Sequence, residues 1–359
     1  MKMKSVSEAT TGQRINALQG LRGFAILCIM VSHSFLLTDD AGRGQLGYLG
    51  GLGVECFLLL SGYLSCYWHL EQGIPVVNLI GSIKYGIGKM RRYYRLHIVT
   101  LLLALPFAWK GLFREDSVWA WAKLLLNALL LQDWVPIESV YFSYNAVSWY
   151  LSLMLFILIV TPWVLRVLAG LDGKQMLLVL VGIVIVQWIV AGLCRNSDLN
   201  IAVAHWLVYI CPLVRLGDFA FGGGIYILIG KTKFDCKSER AVDLIGFISI
   251  AVIGGLMICS VGADGELFSV AVWTIPCGCL LASLTMERGI MKRIFNCPQL
   301  ILLGDVSFEL FLIHQLVIRY CATFGQKIWA IDNLGFTGSA IALGLAVLIS
   351  TAVFRAGKS

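Results

Sequence analysis

Long apolar runs alternate with short polar segments along almost the whole chain. An apolar run of about 20 residues is long enough to cross the hydrocarbon core of a bilayer as a helix. The pattern predicts ten such helices, near residues 17–38, 46–68, 93–113, 147–165, 176–194, 204–230, 242–262, 267–286, 298–322 and 336–354. Another apolar stretch, 118–134, contains three tryptophans and Lys123 and is short for a crossing, so we expect it to lie in the membrane interface.

The composition supports the same fold class. Of the 359 residues, 58% are hydrophobic and 14% are charged, which is not the balance of a soluble domain. We therefore expect an all-α, polytopic membrane bundle. Residues 1–359 are expected to form a single transmembrane domain, with 1–16 as a cytoplasmic tail and no fused soluble domain.

The distribution of charge predicts the orientation, because Lys and Arg in short loops collect on the cytoplasmic side. With ten crossings, the basic segments all fall on one side and both termini are cytoplasmic; these segments are 2–14, 84–95, 231–240, 288–293 and 355–358. The opposite segments 39–40, 133–145, 264–266 and 332–333 are acidic or neutral, although Lys110, Arg114 and Arg195 also lie on that side. The net charge of +7 thus indicates contact with anionic membrane lipid and does not require nucleic acid.

The eleven cysteines are an odd number without the spacing of a disulfide framework or a metal motif. Most fall inside the predicted helices, where cysteine serves as a small packing residue. We expect no metal.

Arg22 and His33 lie in the first predicted helix, where an ionisable side chain is costly. Their separation of eleven residues is about three turns, so both project from one face, about 16 Å apart along the axis. The pair indicates a functional cavity. In the alternative interpretation, Arg22 reaches back to the interface and His33 is a hydrogen-bonded core residue.

Four motifs resemble, in the same order, those of the acyltransferase 3 family of integral-membrane O-acyltransferases. They are Leu18 to Gly23 with ten residues between Arg22 and His33, Gly53 to Tyr63, Arg91 to Leu96, and Gly304 to His314. Weaker similarities occur at 145–152 and 212–219. In two respects we expect the chain to depart from the family pattern: we expect no fused extracytoplasmic hydrolase-like domain, and Leu96-His97-Ile98 stands where a proline is common.

The resemblance implies a multi-pass enzyme of the cell membrane, either plasma or inner membrane. It implies transfer of an acyl group, usually acetyl, from cytosolic acyl-coenzyme A to a hydroxyl. The acceptor is typically a sugar of a cell-surface or exported glycan, free or lipid-linked. The sequence does not identify the sugar, its hydroxyl, any helper protein or the oligomeric state.

Acyl transfer to a hydroxyl needs a base with a pKa near the working pH, and His33 is the first candidate. Glu55, on the antiparallel second helix, is expected at a similar depth. A carboxylate there would fix the tautomer of the imidazole and stabilise its protonated form. The alternative for Glu55 is a structural ion pair with some other helix.

The donor phosphates are expected to meet Arg22, Arg92 and Arg95, since guanidinium groups bind phosphate oxygens well. Arg92 and Arg95 are expected at the cytoplasmic mouth of the third helix. Their plain alternative is the ordinary excess of basic residues at a cytoplasmic helix end.

Several other polar or aromatic residues are candidates for the substrate cavity. Most of them have two interpretations. Arg215 and Asp218 form a salt bridge or take part in catalysis. His314 reaches the cavity of His33 or is a core histidine. Ser61 is a nucleophile or part of a close helix contact. Trp149 packs, or stacks on a sugar or adenine. Glu309 lies with His314 in the penultimate helix.

A transporter, such as a proton-coupled one, is the competing class, because buried charges on several helices also suit a permease. The sequence lacks the internal repeat and the paired broken helices that favour that class. A sensor or scaffold would leave the buried charges unexplained.

Overall fold

The computed structural model describes residues 15–34, 47–75, 77–113, 117–232, 239–259, 263–286, 289–329 and 335–357, without the side chains of 231–232, 259, 263–270 and 328–329. These residues form helices and connecting turns and contain no strand. Several charged segments used for the orientation lie outside the described residues, namely 2–14, 39–40, 233–238, 288 and 332–333. The orientation of the termini therefore stays a prediction.

Sixteen α-helices follow one another along the described chain. They are α1 (Asn16–Ser34), α2 (Tyr48–Gln72), α3 (Leu79–Ala104), α4 (Trp109–Phe113), α5 (Ser117–Ala128), α6 (Glu138–Tyr141), α7 (Trp149–Gly170), α8 (Gly173–Arg195), α9 (Ile201–His205), α10 (Pro212–Thr232), α11 (Glu239–Cys259), α12 (Ala263–Thr285), α13 (Ile290–Phe295), α14 (Pro298–Asp305), α15 (Ser307–Trp329) and α16 (Gly335–Ala356). Short 3₁₀ segments occur at Leu105–Ala108, Gln132–Trp134 and Ala146–Ser148, and a π-helical turn at Trp206–Ile210.

The polytopic helical bundle is confirmed, and each predicted helix has a helical counterpart. Among the described residues, eight helices are long and apolar enough to cross a membrane, and α14 with α15 adds a ninth if that bent pair is one span. The remaining counterpart is α12, whose described apolar part is Ala271–Thr285.

Three predicted helices differ from the structure. The one expected at 204–230 is interrupted by the π-helical turn Trp206–Ile210 and by Cys211 before α10 begins at Pro212. The third predicted helix begins at Leu79, well before the expected residue 93, because Asn78 caps it by accepting from the Gly81 N–H at 2.6 Å. It changes to 3₁₀ geometry at Leu105–Ala108, where Pro106 lacks the N–H that an α-helix needs. The penultimate helix, expected at 298–322, is bent by 76° between Asp305 and Ser307.

Helix α2 occupies the centre of the bundle and packs against α1, α10 and α12. Helix α1 also packs closely on α14. A Cβ added to Gly304 of α14 would lie 2.0 Å from the Gln19 carbonyl oxygen of α1, so only glycine allows this approach. Gln19 Nε2 also donates to Asp305 Oδ1 at 2.9 Å. This glycine contact fixes where the bend into α15 begins relative to α1.

The segment 117–148 folds into short elements beside the bundle. Helix α5 has 12 residues, which is about 18 Å and too short for a full crossing. Its predicted interfacial position stays a prediction. Asp133 follows it and is fully buried, where its carboxylate accepts from Ser152 Oγ. Burial raises the pKa of Asp133 to about 8, and the hydrogen bond from Ser152 opposes this shift.

Candidate functional site

Two cavities lie at opposite ends of the α1–α2 hairpin. Cavity 1, of about 240 Å³, is at the end where α1 finishes and α2 begins. His33 and Trp149, both singled out from the sequence, line it together with His205 and Tyr209. The π-helical turn at Trp206–Ile210 brings Tyr209 to this wall, 5.1 Å from the Trp149 ring. Cavity 1 therefore combines a candidate base with aromatic surfaces of the kind that pack on sugars.

Cavity 2, of about 660 Å³, is at the other end of the hairpin, beside the first half of α1 and the second half of α2. Arg22, Arg92 and Ser61 line it. Its wall also includes Lys89 and the pair His69–Tyr85, whose Nε2 and hydroxyl oxygen are 2.8 Å apart. Three cationic side chains, Arg22 from α1 and Lys89 and Arg92 from α3, make this cavity suited to an anionic ligand.

Phe311 lines both cavities, and no other described residue does. It belongs to α15, three residues before His314, and its ring centroid is 6.3 Å from the His314 ring. The two cavities therefore approach each other at the ring of Phe311, next to the histidines.

His314 contacts His33 but lines neither cavity; it is 0% exposed and bonded to a backbone carbonyl, as its alternative interpretation, a core histidine, expected. The His314 Nε2 and His33 Nδ1 atoms are 3.0 Å apart, and His314 Nδ1 is 2.9 Å from the Leu310 carbonyl oxygen. Because a carbonyl only accepts, His314 Nδ1 must carry the proton and its Nε2, in the neutral ring, must accept. His33 Nδ1 then donates to it, which leaves His33 Nε2 as the nitrogen with a free lone pair.

Glu55 does not pair with His33, so that expectation is wrong. Its Oε2 accepts from Arg215 NH2 at 3.1 Å, and Arg215 NH1 lies 2.8 Å from Asp218 Oδ2. Glu55 and Asp218 are 0% exposed and Arg215 is 1% exposed. This is the alternative stated for Glu55, an ion pair with another helix, because the guanidinium of α10 is the stronger partner for a buried carboxylate.

The buried ion cluster of Glu55, Arg215 and Asp218 connects four helices. Gln187 of α8 donates to Asp218 Oδ1, and the Thr274 hydroxyl of α12 lies 3.4 Å from the same oxygen. The salt bridge between Arg215 and Asp218 is thus confirmed, and the cluster lies among α2, α8, α10 and α12. Arg215 also faces the ring of Tyr209 at 5.8 Å, which links the cluster to the wall of cavity 1.

The three arginines expected at the donor site have different positions. Arg22 is half-buried and Arg92 is exposed, and both line cavity 2. Arg95 is exposed and is not among the residues that line either cavity. Since α3 begins at Leu79, Arg92 and Arg95 lie in the middle of that helix and not at its start.

The remaining candidates are also placed by the structure. Ser61 Oγ donates to the Phe57 carbonyl at 2.7 Å, and a Cβ on the neighbouring Gly62 would lie 1.8 Å from the Phe219 carbonyl oxygen, which favours the close-packing interpretation of this stretch. Trp149 lines cavity 1 and not cavity 2, so it shares a cavity with His33 and not with Arg22 or Arg92. Glu309 lies in the first turn of α15 and lines neither cavity.

The sequence interpretation missed His205 and Phe311. His205 lies in a predicted span and lines cavity 1, so the rule that flagged His33 would have found it too. Phe311 lies within the motif Gly304 to His314, but an apolar residue in an apolar helix carries no signal of a cavity.

Comparisons with known proteins identify the family of the chain. Residues 15–355 match the family described as the acyltransferase domain, Acyl_transf_3. Acyltransferase MdmB of Streptomyces mycarofaciens is 24% identical over 358 residues, which covers 93% of this chain and 87% of the relative. No solved structure matches the chain. The chain therefore belongs to the Acyl_transf_3 family and is a multi-pass membrane acyltransferase, which sets aside the transporter alternative.

Proposed function

We propose that this enzyme moves an acetyl group from cytosolic acetyl-coenzyme A to a hydroxyl of a cell-surface or exported glycan, either free or lipid-linked. The observation that carries the proposal is the pair of cavities, one with arginines and one with a histidine, that approach each other at Phe311. With the amino terminus in the cytosol, as the charge distribution predicts, cavity 2 faces the cytosol and cavity 1 faces outward.

Cavity 2 is the proposed donor site. Arg22 and Arg92 would bind the phosphate and pantetheine groups of the coenzyme, and Lys89 adds a third cation to the lining of the cavity. Arg95, also expected to bind the donor, would act from outside the cavity. The thioester end would then point toward Phe311 and the histidines.

Cavity 1 is the proposed acceptor site, in which Trp149 and Tyr209 give aromatic surfaces for a sugar ring. His33 Nε2, the nitrogen with the free lone pair, would remove the proton of the acceptor hydroxyl. The hydroxyl oxygen then attacks the thioester carbonyl carbon, the new C–O bond forms and the C–S bond breaks. The same nitrogen returns its proton to the sulfur, so coenzyme A leaves as the thiol.

In this mechanism His314 takes the positioning role that was expected of Glu55. It holds His33 with its Nδ1 protonated, because its own Nε2 can only accept. The buried ion cluster would act further away, by fixing α2 and α10 and the Tyr209 wall.

The test uses detergent-solubilised protein with labelled acetyl-coenzyme A and a panel of glycans. His33→Ala is expected to lower transfer by about 10²-fold or more, while binding of the donor stays close to that of the wild type. His314→Gln, which keeps a hydrogen-bond acceptor beside His33, is expected to retain more activity than His314→Ala. Full transfer by His33→Ala would exclude His33 as the base, and a folded wild type that neither binds nor uses acetyl-coenzyme A would overturn the donor.

A further inference from the structure

Phe311 occupies a position that the acyl group must pass in the proposed reaction. Its side chain is 5% exposed and forms part of the wall of both cavities. The donor would enter through cavity 2, whereas His33 lines cavity 1. The carbonyl carbon has to approach His33 for the reaction to occur, so the acyl chain attached to it must fit beside the ring of Phe311.

The ring of Phe311 has little freedom to move aside. Tyr150 and Phe57 pack on it with ring centroids 5.3 and 6.5 Å away, and these two rings are 6.4 Å from each other. The three rings form an aromatic barrier on the cavity 2 side of the histidines. Packed interiors accommodate extra methylene groups poorly, so a barrier of this kind limits the size of the acyl group that can pass it.

We propose that Phe311 sets the upper size of the acyl group that this enzyme transfers. This inference rests on the proposed function and adds a specificity-determining residue to it. An acetyl group adds only a methyl to the carbonyl carbon and is the smallest acyl group that has to pass the ring. The further methylenes of a propionyl or butyryl group meet the ring of Phe311.

The experiment compares transfer from acetyl-, propionyl- and butyryl-coenzyme A to one acceptor by the full-length protein in detergent. The readout is the ratio of kcat/KM for butyryl to that for acetyl donors. The wild type is expected to use acetyl best. Phe311→Ala is expected to raise the ratio by on the order of tenfold, because a few methylenes in an apolar pocket commonly decide specificity by this factor.

Two matched variants on the same chain act as controls. Phe308, one turn earlier on α15, lines cavity 2 alone, and Phe142 lines cavity 1 alone. Phe308→Ala and Phe142→Ala also remove a ring from a cavity wall, but they are expected to leave the butyryl-to-acetyl ratio near that of the wild type. Only the residue shared by both walls should change it.

The outcomes separate this inference from the proposed function. A wild type that transfers acetyl, with an unchanged ratio in Phe311→Ala, overturns the role of Phe311 alone. An equal rise in Phe308→Ala, or a wild type that uses butyryl as well as acetyl, overturns it too. If Phe311→Ala does not fold, Phe311→Leu decides, with a smaller rise expected. No transfer of any acyl group by folded wild type contradicts the proposed function instead.

Discussion

Replacing Arg215 with methionine would test whether the buried ion cluster stabilises the bundle. Arg215, Glu55 and Asp218 have a formal charge of −1 when all three are ionised. Arg215→Met changes this formal charge from −1 to −2 and leaves two buried carboxyl groups without their guanidinium. Removing one partner of a buried ion pair typically costs about 3–5 kcal/mol, because the charge that remains is not solvated.

Glu55→Gln is the matched control. It removes one charge and brings the formal charge of the cluster to zero, while the amide oxygen can still accept from Arg215 NH2. The neutral cluster loses little, so we expect a destabilisation below about 1.5 kcal/mol. The two variants therefore change the same cluster by one charge in opposite directions.

The chain supplies its own probe of unfolding, since Cys28, Cys56 and Cys66 are buried free thiols. A thiol-reactive fluorophore reports their exposure as detergent-solubilised protein is heated. At about 2 °C per kcal/mol, Arg215→Met should lower the Tm by about 6–10 °C, and Glu55→Gln by less than about 3 °C. Equal Tm values for the two variants would refute the argument, because charge imbalance would then have no effect.

Three further predictions follow from the described geometry. Arg92→Ala should weaken binding of acetyl-coenzyme A by about tenfold or more. Arg95 is also exposed but lies outside the cavity wall, so Arg95→Ala should weaken binding less. Equal losses in a direct binding assay would contradict the placement of the donor. The protonated Asp133 carboxyl stabilises the fold fully below its unfolded pKa, near 4, and this contribution is lost as pH rises through about 8. The Tm of the wild type should therefore fall between pH 6 and pH 8.5 more than that of Asp133→Asn. Parallel Tm profiles would argue against a buried protonated carboxyl. Glu138 and Glu71 are both exposed. A cysteine in place of Glu138 should react with an impermeant thiol reagent from outside the cell, and a cysteine in place of Glu71 should react only from inside. Labelling of position 138 from the cytosol would mean that 118–134 crosses the membrane.

The helices could be predicted from hydrophobicity because a bilayer imposes a minimum apolar length on each crossing. Their ends were less predictable. The start of α3 at Leu79 depends on a local cap at Asn78, and its long polar first half is not a membrane pattern. The bend between α14 and α15 leaves no signal in the hydropathy either.

The residues of the site were predictable as a set but not as partners. Arg22, His33 and His314 stand out because an ionisable group in an apolar helix must have a reason, and Arg92 stands out through the family motif. Which group meets which depends on helix rotation and on the competition among partners. Arg215 takes the Glu55 carboxylate, and His314, 281 residues from His33 in sequence, takes the imidazole.

The glycine contact between α1 and α14 determines how the helix that carries His33 is aligned with the helix that carries His314. His33 lies near the end of α1, and Phe311 and His314 lie just beyond the bend that Gly304 anchors to Gln19. A methyl group added at Gly304 would displace α14 from α1. Because α15 follows α14 directly, His314 would then move away from His33, although no side chain of either cavity had changed. In the proposed mechanism Gly304, a residue without a side chain, thus sets the distance between the two histidines, and a substitution there is expected to lower activity while leaving donor and acceptor affinity largely intact.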